Sequence, residues 1–265
     1  MTKLNSPKQQ ILSGAKLAGC WISMFSNIAA EIMSDAGYDI AMIDLEHAPG
    51  SLIDAITMMQ AVEARGCYPM IRSSSKNIVD IKRILDIGPA GIMIPDVRSA
   101  KEAEEVIKHC RYAPQGDRGA APGYMRAMGY GGFNGRARNG ADYSAFMEQD
   151  FLIILQVESA EAVDQISEIA KVDGIDMLFI GPADLSASLG KLGDFSSEQF
   201  KQAISTIEEE ALNAGISLGT IPFADWDAAR LYRSGHQLVI SGADAMLLAA
   251  AAKEDLLALK SSGTP

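Results

Sequence analysis

The chain repeats one pattern: a short apolar, β-prone run, a polar or glycine break, then an amphipathic stretch of helical period. Eight such units are present, with strands predicted at Ala18 to Ile22, Ile40 to Asp44, Tyr68 to Ile71, Gly91 to Ile94, Phe151 to Val157, Met177 to Ile180, Ile216 to Thr220 and Gln237 to Ser241. The run "FLIIL" at 151–155 is apolar throughout rather than alternating, as befits a parallel strand covered on both faces. Helix starts punctuate the repeat. Ser51 leads into Leu52, Ala55, Ile56 and Met59, while Ser99 with Glu102 and Ser196 with Gln199 each spell a capping box. Gly66 and Gly215 stand where a helix end turns into the next strand, the place of a left-handed cap. Eight strand–helix units closed by short loops predict an α/β fold, a (β/α)8 TIM barrel, as a single domain over 1–265.

One connection is longer than this repeat needs. Arg111 to Gly140, "RYAPQGDRGAAPGYMRAMGYGGFNGRARNG", is rich in glycine and carries five arginines against one acid. Long loops in compact domains are commonly functional, and the arginines point this one toward anions, with a mobile surface loop as the alternative. A nucleic-acid role is excluded by the whole chain: 23 Lys plus Arg against 34 Asp plus Glu give a net charge of −11, unsuited to polyanions or an anionic membrane surface. Small anionic ligands remain open to a locally positive site.

Three cysteines, Cys20, Cys67 and Cys110, have neither metal-ligand spacing nor an even count, so a reducing, cytoplasmic setting is expected. Leu17-Ala18-Gly19-Cys20 has the form of a lipoprotein cleavage box, but the preceding segment holds Lys8, Gln9, Gln10 and Lys16 in place of an apolar stretch. No apolar run approaches the roughly 18 residues that cross a bilayer.

In a barrel, the C-terminal ends of the strands converge on one mouth, where chemistry sits. Asp44, Glu46 and His47 follow strand two, Arg72 strand three, Asp96 strand four, Gln156 and Glu158 end strand five, and Asp184 follows strand six. Two carboxylates such as Glu158 and Asp184 could hold a hard divalent cation that keeps some of its water, with a histidine nearby as base. Each has a plainer alternative: an acid in a helix's first turn is worth about 0.3–1 kcal/mol through the helix dipole, and Arg72 could be a surface cation.

Taken together, "IDLEHAP", "MIRS", "ILDIGPAGIMIP", "RYAPQGDRG", "ILQVES" and "FIGPADLSASLG", in this order over roughly residues 17 to 190, resemble the metal-dependent (class II) pyruvate aldolases, the family of 4-hydroxy-2-oxoheptanedioate and 2-dehydro-3-deoxyglucarate aldolases. The resemblance implies that Glu158 and Asp184 bind the metal (Mg²⁺, Mn²⁺ or Co²⁺), which chelates a 2-oxo acid. Gln156 and the backbone around Ala183 and Asp184 would hold substrate, Arg72 would stabilise the enolate, and His47 would be the general base with its basicity raised by Asp86. Cleaving a 4-hydroxy-2-oxo acid to pyruvate and an aldehyde needs those roles, because enolate charge must be stabilised and the 4-hydroxyl deprotonated. A lysine Schiff base is the other aldolase route, and no predicted strand ends in lysine.

The same resemblance implies a homo-oligomer, a hexamer built as a trimer of dimers, whose C-terminal helix is exchanged between neighbours. "ADAMLLAAAAKEDLLALK" is apolar all round over Ala245 to Ala252, so it should be buried by a neighbour or by its own barrel. Several positions depart from the family pattern: "IRSSSKN" lacks the usual proline turn, "IPDV" places Asp96 at an apolar position, and Pro122-Gly123-Tyr124 interrupts small residues in the long loop. That loop is expected to meet the far end of the substrate. Other lyases of the same barrel, acting on acyl-CoA or citrate-like substrates or decarboxylating oxaloacetate, are the nearest alternative; a catalytically silent 2-oxo-acid sensor and a phosphosugar enzyme are weaker ones.

Overall fold

The computed structural model describes residues 6–131 and 140–261. Eight parallel strands close into a barrel in chain order: β1 (Leu17–Ile22), β2 (Ile40–Asp44), β3 (Tyr68–Arg72), β4 (Gly91–Ile94), β5 (Leu152–Val157), β6 (Met177–Ile180), β7 (Ser217–Thr220) and β8 (Leu238–Ala243). Around it run α1 (Pro7–Leu12), α2 (Asn27–Asp35), α3 (Leu52–Ala64), α4 (Ile78–Ile87), α5 (Ala100–Cys110), α6 (Gly140–Gln149), α7 (Ala160–Asp164), α8 (Ile166–Ile169), α9 (Pro182–Ser188), α10 (Glu198–Ala214), α11 (Ala228–Arg233) and α12 (Asp244–Ser261). The Ser51 capping box closes with Asp54, and Ser99 caps Glu102 N–H at 3.3 Å. The expected Ser196 cap is corrected: Ser196 donates its N–H and hydroxyl to Asp194, and Ser197 caps α10 instead.

Strand alternation explains where the polar residues fall. Ile40, Met42, Met70, Met93, Leu152, Ile154, Met177 and Phe179 point into the barrel, while Ala41, Ile43, Ile71, Ile92, Ile153, Leu155 and Leu178 pack outward under the helices. Burying one such side chain contributes about 1.5–3 kcal/mol. With a period of two, the next inward positions above Met42, Met70 and Ile154 are Asp44, Arg72 and Gln156. A polar layer therefore sits on a dry apolar floor.

At the opposite end, Ile11 of α1 joins the inner core, and Lys8 reaches Asp176 at 2.8 Å and the Glu148 carbonyl at 2.9 Å. The described part of the long arginine-rich segment lies on this side, where α5 ends and β5 begins. Its described arginines are all committed within the chain. Arg118 is fully buried between the Tyr112 and Tyr143 rings, 4.8 and 5.2 Å from their centroids, and pairs with Asp86 at 3.2 Å. Arg126 donates to the Ile87 carbonyl at 2.9 Å and to Glu63 at 2.7 Å, and Arg111 stands 3.8 Å from Asp173. The expectation that this segment meets substrate is thus corrected for the chain's own mouth; Arg136 and Arg138 lie outside the described residues. Charge spacing carries no information about which end of a barrel a loop occupies.

Helix α12 leaves the mouth side after β8. Asp244, which is buried, anchors its start by accepting from Ser23 N–H (2.9 Å), Ser23 hydroxyl (2.7 Å) and Met24 N–H (3.1 Å). Beyond it the helix is not covered by its own barrel: Met246 is 72% and Leu248 58% exposed. Packing on the same chain, one of the two expected burials, is therefore not what the fold does. Among the described residues no helix is long and apolar enough to cross a membrane.

Candidate active site

Parallel pairing sets Asp44 beside Arg72. The two side chains lock as a fork: Arg72 Nε donates to Asp44 Oδ1 at 2.9 Å and Nη2 to Oδ2 at 2.7 Å, both groups buried. The guanidinium also lies over the Trp21 ring, 4.4 Å from its centroid. Asp44 Oδ1 accepts the N–H groups of Glu46 (3.0 Å) and His47 (3.3 Å), so one carboxylate fixes both the arginine and the loop that carries the histidine. Burial alone would raise the Asp44 carboxyl, but those donors outweigh it and hold it below its usual range. The remaining guanidinium edge, Nη1, stands 3.2 Å from Glu46, whose carboxylate is 3.8 Å from His47 Nε2. His47 itself is exposed at the rim.

On the facing strands, Glu158 is buried and receives two donors, Asp96 N–H at 2.9 Å and Gln156 Nε2. Asp96 holds a left-handed backbone, φ +53°, which turns its N–H inward; aspartate is among the residues that tolerate this region. Gly181 opens α9 against the same carboxylate. A Cβ there would overlap Glu158 and stand 3.1 Å from Gln156 Nε2, so the "IGPAD" glycine is required by close approach. Asp184 lies in the first turn of α9, exposed, on the same cavity of about 400 Å³ as Glu46, His47, Asp96, Arg98 and Glu158.

The electrostatics of this cavity favour a bound cation. Burial, with negative charge from Glu46 and Asp184, pushes the Glu158 carboxyl up to about 7 despite its two donors. Burial also raises Glu46, helped by Asp44 and Asp184 and opposed by Arg72 and His47. Gln156 Oε1 is buried and has no hydrogen-bond partner among the described residues. Clustered carboxylates that disfavour one another's charge, beside an orphaned amide oxygen and without thiols, fit a hard divalent ion taking oxygen ligands. Among the described residues no three His, Cys, Asp or Glu side chains are grouped closely enough to hold an ion by themselves.

The mouth thus brings together His47, Arg72, Gln156, Glu158, Ala183 and Asp184. It does not bring Asp86. That residue ends α4 on the opposite side of the barrel, where its carboxylate pairs with Arg118, and the carboxylate beside His47 within the chain is Glu46. Trp21 and Gly181 were not singled out from sequence. Trp21 occupies an inward position of β1 two residues beyond Gly19, so alternation alone could have placed it in the mouth.

Comparison with known proteins agrees with this layout. The model of the HpcH/HpaI aldolase/citrate lyase family matches residues 17–251, from β1 into α12. The chain is 34% identical to a hydroxypyruvate/pyruvate aldolase of Chromohalobacter salexigens, covering 94% of this chain and 95% of that one. It is 36% identical to a 2-keto-3-deoxy-L-rhamnonate aldolase of Klebsiella pneumoniae subsp. pneumoniae, covering 97% and 94%. A crystal structure of a protein of this family from Burkholderia cenocepacia superposes with a TM-score of 0.88 at 32% identity, over 97% of this chain and 100% of the other. With its barrel matched end to end, the chain belongs to the HpcH/HpaI aldolase/citrate lyase family.

Proposed function

We propose that this protein is a divalent-metal-dependent aldolase that reversibly cleaves a 4-hydroxy-2-oxo acid to pyruvate and an aldehyde. The observation that carries the reading is the pairing, in one cavity, of an acidic oxygen-donor cluster with an arginine held rigid by Asp44 and Trp21. Its relatives' names, a hydroxypyruvate/pyruvate aldolase and a 2-keto-3-deoxy-L-rhamnonate aldolase, support a pyruvate donor and a small hydroxylated acceptor.

Mg²⁺, Mn²⁺ or Co²⁺ held by Glu158 and Asp184 would supply Lewis-acid stabilisation of charge on the 2-oxo oxygen. His47 takes the proton of the 4-hydroxyl as the C3–C4 bond breaks, and that bond's electron pair passes through C3 onto the 2-oxo oxygen while the aldehyde leaves. Arg72, fixed by Asp44, would bring its positive charge to the developing enolate through the Nη1 edge, which it shares with Glu46 at 3.2 Å. Return of a proton to C3 completes pyruvate. Gln156 would offer its Oε1, an acceptor, to the ion or to a hydroxyl of the substrate, and the backbone at Ala183 and Asp184 borders the same space.

In an assay of pyruvate release from a panel of 4-hydroxy-2-oxo acids, EDTA brings the rate to background and Mg²⁺, Mn²⁺ or Co²⁺ restores it. Full activity after exhaustive chelation would sink the metal role. Oxaloacetate decarboxylation produces the same enolate and is the runner-up, along with lyase action on an acyl-CoA or citrate-like substrate, since the family's own description includes citrate lyase. Cleavage of oxaloacetate alone, with every panel member inert, would favour it.

The uncovered apolar helix α12 supports a homo-oligomer in which α12 packs on a neighbouring barrel, a hexamer as a trimer of dimers. Any help from Asp86 to His47 must then cross a subunit interface, because the two lie at opposite ends of one barrel. Light scattering should give a mass of six chains; a monomer at working concentration would overturn both the assembly and that role for Asp86.

A further inference from the structure

One oxygen of Glu46 is set between an arginine and the histidine. Its Oε2 stands 3.2 Å from Arg72 Nη1 and 3.8 Å from His47 Nε2, and it is buried with no hydrogen bond reaching it among the described residues. Arg72 commits its better-aimed nitrogens, Nε and Nη2, to Asp44. Glu46 is therefore held by charge and not by bond geometry. The backbone beneath it is tied down: Leu45 donates its N–H to the Arg72 carbonyl at 3.1 Å, and the N–H groups of Glu46 and His47 both donate to Asp44 Oδ1. Movement of Glu46 is thus confined to its side chain. Closing on His47 from 3.8 Å to the roughly 2.7–2.9 Å of a charge-assisted bond takes about 1 Å.

Aldol cleavage creates two charges together. The proton lost by the 4-hydroxyl makes His47 a cation, and the electron pair of the C3–C4 bond makes the 2-oxo oxygen an anion. The anion needs Arg72 Nη1, the edge that Glu46 occupies, and the cation needs an acid, which Glu46 provides from the adjacent position. Other acids around the mouth are engaged: Asp44 is locked on Arg72, Asp96 accepts from Arg98, and a divalent ion would take Glu158 and Asp184. Burial, with Asp44 and Asp184 nearby, works against the charge of Glu46, while Arg72 and His47 favour it. Such a carboxylate leaves one cation only for another.

We propose that Glu46 is a positioning residue that changes partner during turnover, releasing the Nη1 edge of Arg72 to the enolate and moving onto the His47 imidazolium. The inference rests on the aldolase reading, which supplies both charges. No proton passes to Glu46, which stays a carboxylate throughout. Two ion pairs replace one, so neither new charge is left bare in the cavity as the bond breaks.

The test separates anion binding from cleavage. At saturating Mn²⁺, calorimetry with oxalate, a planar dianion that stands in for the enolate, should show Glu46→Gln binding it about 3–10-fold more tightly than the parent, because a competing anion has left Arg72. In the same variant kcat for pyruvate release should fall about 10–10²-fold, because the imidazolium has lost its partner. A merely structural role does not tighten the anion while slowing cleavage. Glu46→Asp, which keeps the charge, should bind oxalate as the parent does and recover part of kcat. In a His47→Gln background, adding Glu46→Gln should cost no more than about twofold further, since no imidazolium forms there. Unchanged or weaker oxalate binding in Glu46→Gln, or a kcat loss that persists in full in the His47→Gln background, overturns the proposal; so does a loss of Mn²⁺ affinity of about 10²-fold, which would make Glu46 a metal ligand. Pyruvate release by the parent distinguishes the two readings. Its absence in every metal removes the aldolase and the partner exchange together, whereas release by the parent with kcat unchanged in Glu46→Gln removes the exchange alone.

Discussion

Arg72→Lys should lower kcat for pyruvate release by about 10²–10³-fold, the loss typical of removing a preorganised donor to a developing oxyanion. Charge is retained in this variant, so the effect isolates geometry. A lysine cannot make the paired bonds of 2.9 and 2.7 Å to Asp44 or lie flat over Trp21, and its ammonium is free to swing toward Glu46. Asp44 then loses its strongest partner while still gripping the N–H groups of Glu46 and His47, which loosens the loop beneath the base. Because Arg72 acts on charge that appears in the transition state, kcat and kcat/KM should fall together while oxalate and Mn²⁺ bind as before. A rise in KM at unchanged kcat would show that Arg72 binds substrate uniformly and does not serve the enolate.

The barrel was legible because its strands are buried on both faces and its helices are capped by local chemistry. "FLIIL" and the Ser51 and Ser99 caps each carry their structural consequence within a few residues. The mouth was legible by a further step: a polar residue at the C-terminal end of an apolar strand must leave the core, and Asp44, Arg72 and Gln156 do so on the inward phase.

What failed to show in sequence is what depends on three-dimensional proximity between distant segments. Asp86 and Arg118, separated by 32 positions, neutralise each other far from His47. The arginine-rich segment looked like an anion site because its cations are close in sequence; in space Arg111, Arg118 and Arg126 each find a separate partner, a carbonyl, an acid or a pair of rings. Asp96 shows the reverse. As a departure from an apolar position it had no evident purpose, yet its left-handed turn gives Glu158 one donor and its carboxylate orients Arg98.

Glu158 and Asp184 should differ in how they fail, and that difference tests whether they share an ion. Removing even an outer-shell partner of a metal typically weakens affinity about 10–100-fold, and loss of a direct carboxylate ligand costs more. Both Asp184→Asn and Glu158→Gln should therefore raise the Mn²⁺ dissociation constant by about 10²-fold or more and reduce pyruvate release to a similar degree at limiting metal. Asp184→Asn is the cleaner change, since no hydrogen bond from another residue to its carboxylate stands among the described contacts, and high Mn²⁺ should recover much of the rate. Glu158→Gln carries a second defect. The native carboxylate accepts from both Asp96 N–H and Gln156 Nε2, but a glutamine has one acceptor oxygen, so one of those buried donors would face an NH₂ group. Leaving a buried donor unsatisfied costs about 1–3 kcal/mol. Thermal unfolding of the metal-free proteins should accordingly show Glu158→Gln melting below the parent and Asp184→Asn close to it. Unchanged Mn²⁺ affinity in both variants would place the ion elsewhere and remove the two carboxylates from the metal site, whatever the effect on rate.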